Sequence, residues 1–158
     1  ELARTCFDNG LEDEGSTVVL DILRTEENPR SIAKTRNMLE SSGRSDLANA
    51  LEKRIHEEVR LLVSVGAEKA KSGDFDGAVE EMLNAARKMP NNGHVLFNAA
   101  LALLRHIENR GWNDPFATQA RQLIERVRRQ DPANPRLPAL GDFLRKLQVK
   151  FGISNVKV

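Results

Sequence analysis

Cysteine is close to absent: Cys6 stands alone in 158 residues, so no disulfide can close within the chain and no cysteine cluster can hold zinc. The plain reading of Cys6 is a small, partly buried apolar side chain. Tyrosine is missing, tryptophan occurs once, and aromatic residues make up only 4%. Sheets lean on aromatic and β-branched side chains, whereas the Ala, Leu, Glu and Arg chemistry of this chain favours helices, so composition points to an all-α protein. No run approaches the ~18 apolar residues that span a bilayer, and no basic, apolar and small-residue export signal follows Glu1, so a cytoplasmic protein without membrane association is expected. Excess charge is missing as well: a net +1 within a 30% charged fraction gives no overall pull toward nucleic acid or anionic lipid. The chain opens on Glu1, without methionine and directly in an amphipathic segment, and a preceding segment is expected.

The same scarcity covers catalytic chemistry. His56, His94 and His106 lie on different predicted elements, and none has a second ligand at the spacing of a His-Glu-x-x-His site. No glycine-rich phosphate loop occurs, and Gly10, Gly15, Gly43 and Gly73 read as turn or helix-end residues. No serine sits in a strand-turn-helix nucleophile elbow. The acidic runs Glu12-Asp13-Glu14 and Glu57-Glu58 read as solvated helix surface. The chain is therefore expected to be no enzyme, with no metal, cofactor or catalytic residue.

What is present is helical periodicity. Phe75, Ala78, Val79, Met82, Leu83, Ala86 and Met89 recur at three- and four-residue spacing and predict a helix over Asp76 to Met89, closed by Pro90-Asn91-Asn92-Gly93. Upstream, the period runs without proline from Asp46 to Lys71, as one long helix or two nearly collinear ones. Before it come a helix from Asn28-Pro29 to Ser41-Ser42-Gly43, a shorter one over Ser16 to Thr25, and a helical turn or two around Leu2 to Phe7. Downstream, Val95 to Ile107 is apolar nearly all round and needs cover on most sides. Asp114-Pro115 starts a further helix that ends at Asp131-Pro132. A last helix carries Leu137, Leu140, Leu144 and Leu147, with a frayed tail from Gly152.

Helix pairs joined by Gly/Asp turns and separated by Pro-Asn turns are the signature of a helical repeat. Lys71-Ser72-Gly73-Asp74-Phe75-Asp76-Gly77-Ala78, followed by Ala85, Pro90, Asn91 and Asn92, resembles the second half of a tetratricopeptide repeat, with Leu62, Val65 and Gly66 in the places of its first-helix core. The next unit closes at Pro132, 42 residues after Pro90. That exceeds the ~34-residue period, and the excess is expected as an inserted turn around Arg110-Gly111-Trp112. The resemblance implies an α-solenoid of about seven or eight helices forming a single domain. Its parts are degenerate repeats over 1–58, a repeat over 59–92, a repeat with inserted turn over 93–134 and a capping helix over 135–151. Cys6-Phe7-Asp8-Asn9-Gly10-Leu11, Gly66-Ala67-Glu68-Lys69-Ala70, Phe97-Asn98-Ala99-Ala100, Gly111-Trp112 and Asp131-Pro132-Ala133-Asn134-Pro135-Arg136-Leu137 together resemble the C-terminal helical-repeat region of bacterial CheY-like response regulators. That resemblance implies an output or adaptor module of two-component signalling.

Such repeats present the inner face of each first helix as a groove. Here the resemblance places Arg60, Val63, Ser64, Ala67 and Lys71 on it from one unit, and His94, Phe97, Asn98, Leu101 and Arg105 from the next. Lys71, Asn98 and Arg105 superficially suggest a clamp for a peptide C-terminus, but Val63 and Ala67 stand where it needs polar groups, so a mixed apolar groove for a protein or peptide partner is the main reading. A groove filled by the protein's own terminal helices stays open beside it. Trp112 is either an exposed anchor for a partner or a residue folded back over neighbouring helix ends. Pairing with a second copy is the alternative function. Charge is also polarised, with 14 basic and 19 acidic residues over 1–109 against 10 and 4 beyond. Arg121, Arg126, Arg128, Arg129, Arg136, Arg145 and Lys146 form a candidate basic face, but aromatic stacking residues are scarce there and nucleic acid is disfavoured as a partner.

Overall fold

The computed structural model describes residues 1–26 and 29–154, and among them the fold is all-α: eight helices and no strand. The helices are α1 (Leu2–Asp8), α2 (Glu12–Thr25), α3 (Pro29–Ser41), α4 (Ser45–Lys71), α5 (Phe75–Lys88), α6 (Gly93–Arg110), α7 (Asp114–Gln130) and α8 (Leu137–Lys150). The Asn28 part of the expected start of α3, and the expected frayed tail beyond Ser154, lie outside the described residues. No helix among the described residues is long and apolar enough to cross a membrane. The chain divides into two compact units, Glu1–Arg60 and Leu61–Val158, with the boundary inside α4.

In the first unit α1 packs on α2, and the core is built from Ala3, Phe7, Val19, Leu20, Leu39, Leu51, Ile55 and Val59. Gly15 is no turn residue, as the sequence suggested, but a buried position inside α2 against which the Phe7 ring lies. The reason is steric, because a Cβ at Gly15 would sit 2.6 Å from a ring carbon. Arg44 closes the arrangement from outside: its guanidinium stands 4.7 Å from the Phe7 ring centroid and donates to both carboxylate oxygens of Glu12, at 3.2 and 2.6 Å. Glu12, Asp13 and Glu14 form the first turn of α2, where backbone N–H groups favour negative charge, which is why the helix starts a turn earlier than Ser16.

The second unit holds the C-terminal part of α4 with α5 to α8. The turn into α5 uses Gly73 in the left-handed region, φ 83°, so that Asp74 N–H reaches back to Lys69 O at 2.9 Å and Gly73 N–H to Ala70 O at 3.1 Å. Asp74 then caps α5 by accepting from Gly77 N at 2.8 Å. A turn of the same form joins α3 to α4, with Gly43 at φ 76° and Arg44 N–H donating to Leu39 O at 2.8 Å. The two turns thus share one geometry, the Gly43 turn within the stretch expected to hold degenerate repeats.

Helix α6 is the centre of this unit. Val95, Leu96, Ala99, Ala100, Leu103, Leu104 and Ile107 are all fully buried, covered by α5, α7 and α8, as an all-round apolar helix requires. No inserted turn separates α6 from α7: only residues 111–113 connect them, and the extra length over the repeat period is spent in α6 and α7 themselves. Arg110 continues the helix, and Asn113 caps α7 by accepting from Phe116 N at 3.0 Å. Helix α8 lays Leu137, Leu140, Leu144 and Leu147 on α6 and α7 as a cap, and ends in a defined turn at Gly152, with Ile153 N–H donating to Gln148 O at 2.9 Å.

Candidate functional site

In the second unit a groove of about 190 Å³, apolar at its floor, lies between α4 and α6, with Met82 of α5 beneath it. Short turns join α4 to α5 and α5 to α6, so α4 and α6 lie side by side and run in the same direction. Spacing then decides what faces the groove: Val63, Gly66, Ala67, Ala70 and Lys71 from α4, and Asn98, Leu101, Ala102 and Arg105 from α6, each set at three- and four-residue intervals. The floor stays low because the residues are small. A Cβ at Gly66 would lie 2.6 Å from Met82 Sδ, so the glycine lets α5 approach and leaves Met82 exposed only at the groove. No carboxylate lines the groove, whereas Lys71 and Arg105 do, both exposed.

Six residues expected on the binding face therefore meet: Val63, Ala67, Lys71, Asn98, Leu101 and Arg105. The others do not. Arg60 belongs to the first unit, and Ser64 is exposed with its hydroxyl donating to Leu61 O at 2.8 Å. His94 and Phe97 line a separate polar depression with Asn92, Gln130, Asp131 and Arg136. Phe97 is only 5% exposed, and the Arg136 guanidinium lies 4.6 Å from its ring centroid, so its face is already taken. Trp112 is half-buried, donates its indole N–H to Asp114 Oδ1 at 2.7 Å and tilts toward Phe151 at 6.3 Å, so it folds over neighbouring helix ends. Val65, placed in the first-helix core from the sequence, is instead 45% exposed, because Gly66 occupies the face that meets α5 and Val65 is turned away from it.

The terminal helix does not fill the groove, since α8 packs on α6 and α7 and contributes nothing to the lining. Behind Arg105 lies a tie the sequence did not reveal: His106 is 8% exposed, with Nε2 2.7 Å from Asp76 Oδ1 and its ring edge against Phe116 at 4.8 Å. It fastens α6 to α5 and so holds one wall of the groove to its floor. The only sequence signal was a histidine inside an apolar stripe. At the floor's edge Lys69 donates to Glu81 Oε1 at 2.7 Å, a hydrogen bond that raises the lysine pKa and ties α4 to α5.

Of the arginines of the candidate basic face, Arg126 donates to Pro90 O and Arg136 stacks on Phe97, while Arg128 and Arg145 make exposed pairs with Glu125 and Asp142. Among the described residues no group of His, Cys, Asp and Glu is arranged to hold a metal ion. Comparison with family models, with curated proteins and with solved structures yields no match for the chain.

Proposed function

We propose that the chain is a protein-interaction module that captures a segment of a partner protein in the groove between α4 and α6. The observation that carries this reading is the groove itself: six residues singled out by helical-repeat spacing converge on it, its floor is apolar, and α8 leaves it uncovered. The tetratricopeptide resemblance supports it, since stacked helix pairs specify a binding surface and supply no reactive centre. A photo-crosslinking amino acid at Ala67 is expected to give discrete protein adducts in cells that disappear with Leu101→Arg. Equal adducts from the same group at exposed Gln122 on α7, or adducts indifferent to Leu101→Arg, refute the placement.

Resemblance to the C-terminal repeats of CheY-like response regulators places the module, in this proposal, at the output end of a two-component system in the cytoplasm. Any residues encoded before Glu1 test that placement. A β/α pattern with acidic residues at strand ends supports it, and a further run of helical repeats contradicts it.

One observation favours a second reading, self-association. Leu61 and Val65 are 62% and 45% exposed one helical turn apart on α4, an apolar pair facing solvent. Sedimentation decides between the two: a dimer dispersed by Leu61→Lys with Val65→Lys supports a structural role, and a monomer at high concentration removes it.

A further inference from the structure

We infer that the segment captured by the α4–α6 groove is acidic and inserts a single bulky apolar side chain, with its carboxylates beside Lys71 and Arg105. This rests on the binding reading above and names the partner's chemistry. The volume sets the apolar part: an enclosed apolar cavity of ~150 Å³ takes up benzene, and this groove, open to solvent, is of about 190 Å³ over Gly66, Ala70, Met82 and Ala102, room for one leucine, methionine or phenylalanine side chain.

Charge sets the rest. The only charged side chains lining the groove are cationic, Lys71 and Arg105, each the last lining residue of its helix. Because α4 and α6 run in the same direction, both cations stand at the same end. Arg105 makes no ion pair among the described residues, and the ammonium of Lys71 lies 3.4 Å from Glu68 in a pair that is about three-quarters exposed on both sides, so both retain attraction for an incoming carboxylate. Asn98 donates its side-chain N–H to His94 O at 2.8 Å, which leaves its amide oxygen to accept from a peptide N–H. A basic segment finds no carboxylate in the lining, Glu68 standing outside it against Lys71, and a nucleic acid finds no aromatic face on which to stack a base.

The test is a random peptide library displayed on phage and selected on the full chain. Enrichment of Leu, Met or Phe flanked by Asp and Glu is expected, with binding abolished by Leu101→Arg. Ala67→Arg, at an exposed position, gives the same readout should Leu101→Arg fail to fold. Affinity for the enriched peptides should fall about tenfold or more in the Lys71→Glu, Arg105→Glu double variant, and a library selected on that variant should shift to basic flanks. Enriched peptides that depend on Leu101 and Ala67 but are neutral or basic overturn this inference alone. Peptides indifferent to both substitutions, or no enrichment over an unrelated helical protein, overturn the groove reading with it.

Discussion

Glycine inside a helix is ordinarily a defect: replacing it by alanine gains helix propensity and stabilises by roughly 0.4–1 kcal/mol. At Gly15 the sign should reverse. The added methyl carbon falls 2.6, 2.7 and 2.8 Å from three atoms of the Phe7 ring, well inside ordinary contact, so the ring must retreat by several tenths of an ångström. It has nowhere to go, since Phe7 is 4% exposed and Arg44 stands over the ring while bonded to Glu12. Overpacking of this kind costs about 1–3 kcal/mol; taking the upper half of that range for a pinned ring and subtracting the propensity gain leaves Gly15→Ala about 1–2 kcal/mol less stable. Gly141 provides the internal comparison. It also lies within a helix, α8, but a Cβ there meets nothing within 4 Å, so Gly141→Ala should stabilise. Urea denaturation followed by far-ultraviolet circular dichroism reads both, and Phe7→Leu should cost less in the Gly15→Ala background than alone. Gly15→Ala stabilising as much as Gly141→Ala would refute the packing of Phe7 on α2.

Other consequences follow from the same contacts. Leu103→Ala, at a fully buried site on α6, should cost about 2–5 kcal/mol in denaturant titration, and a loss near zero contradicts its place at the centre of the second unit. Asn113→Ala removes the acceptor that caps α7 and should cost about 1 kcal/mol, whereas Asn113→Asp should be close to neutral by the same titration. Hydrogen bonds from Arg44 hold the Glu12 carboxyl below its ordinary pKa. A lowered folded value means that the pair's contribution is present above the unfolded value near ~4.3 and is lost as pH falls through the folded one. Arg44→Gln should therefore flatten stability against pH in that acidic window, and an unchanged slope contradicts the pairing.

The helices that the sequence made easiest to read are those whose packing is decided locally. In α5 and α7 a single apolar stripe meets one set of neighbours; Asp74 announces α5 with a side-chain cap, and at α7 the cap is Asn113, one residue before the Asp114-Pro115 start read from the sequence. Helix α2 was harder, because its first turn is all acid and carries no apolar period. Its start is determined by the interaction of those carboxylates with the helix N-terminus and Arg44. Gly15 misled for a related reason: its role depends on a ring eight residues away in another helix. The excess length in the second repeat was visible as spacing, but spacing does not separate a longer loop from longer helices, and Arg110 and Asp114 are compatible with both. For the groove, the tetratricopeptide resemblance implied the facing residues of α4 and α6, yet it could not foresee that Arg136, far along the chain, covers Phe97, or that His106 reaches Asp76.

Amide chemical-shift mapping of the whole chain, titrated with a library-selected peptide, tests the central claim most directly. The largest perturbations should fall on Ala67, Ala70, Leu101 and Ala102, with α7 little moved. Perturbations concentrated on α7 or α8, with α4 and α6 silent, would contradict capture in this groove.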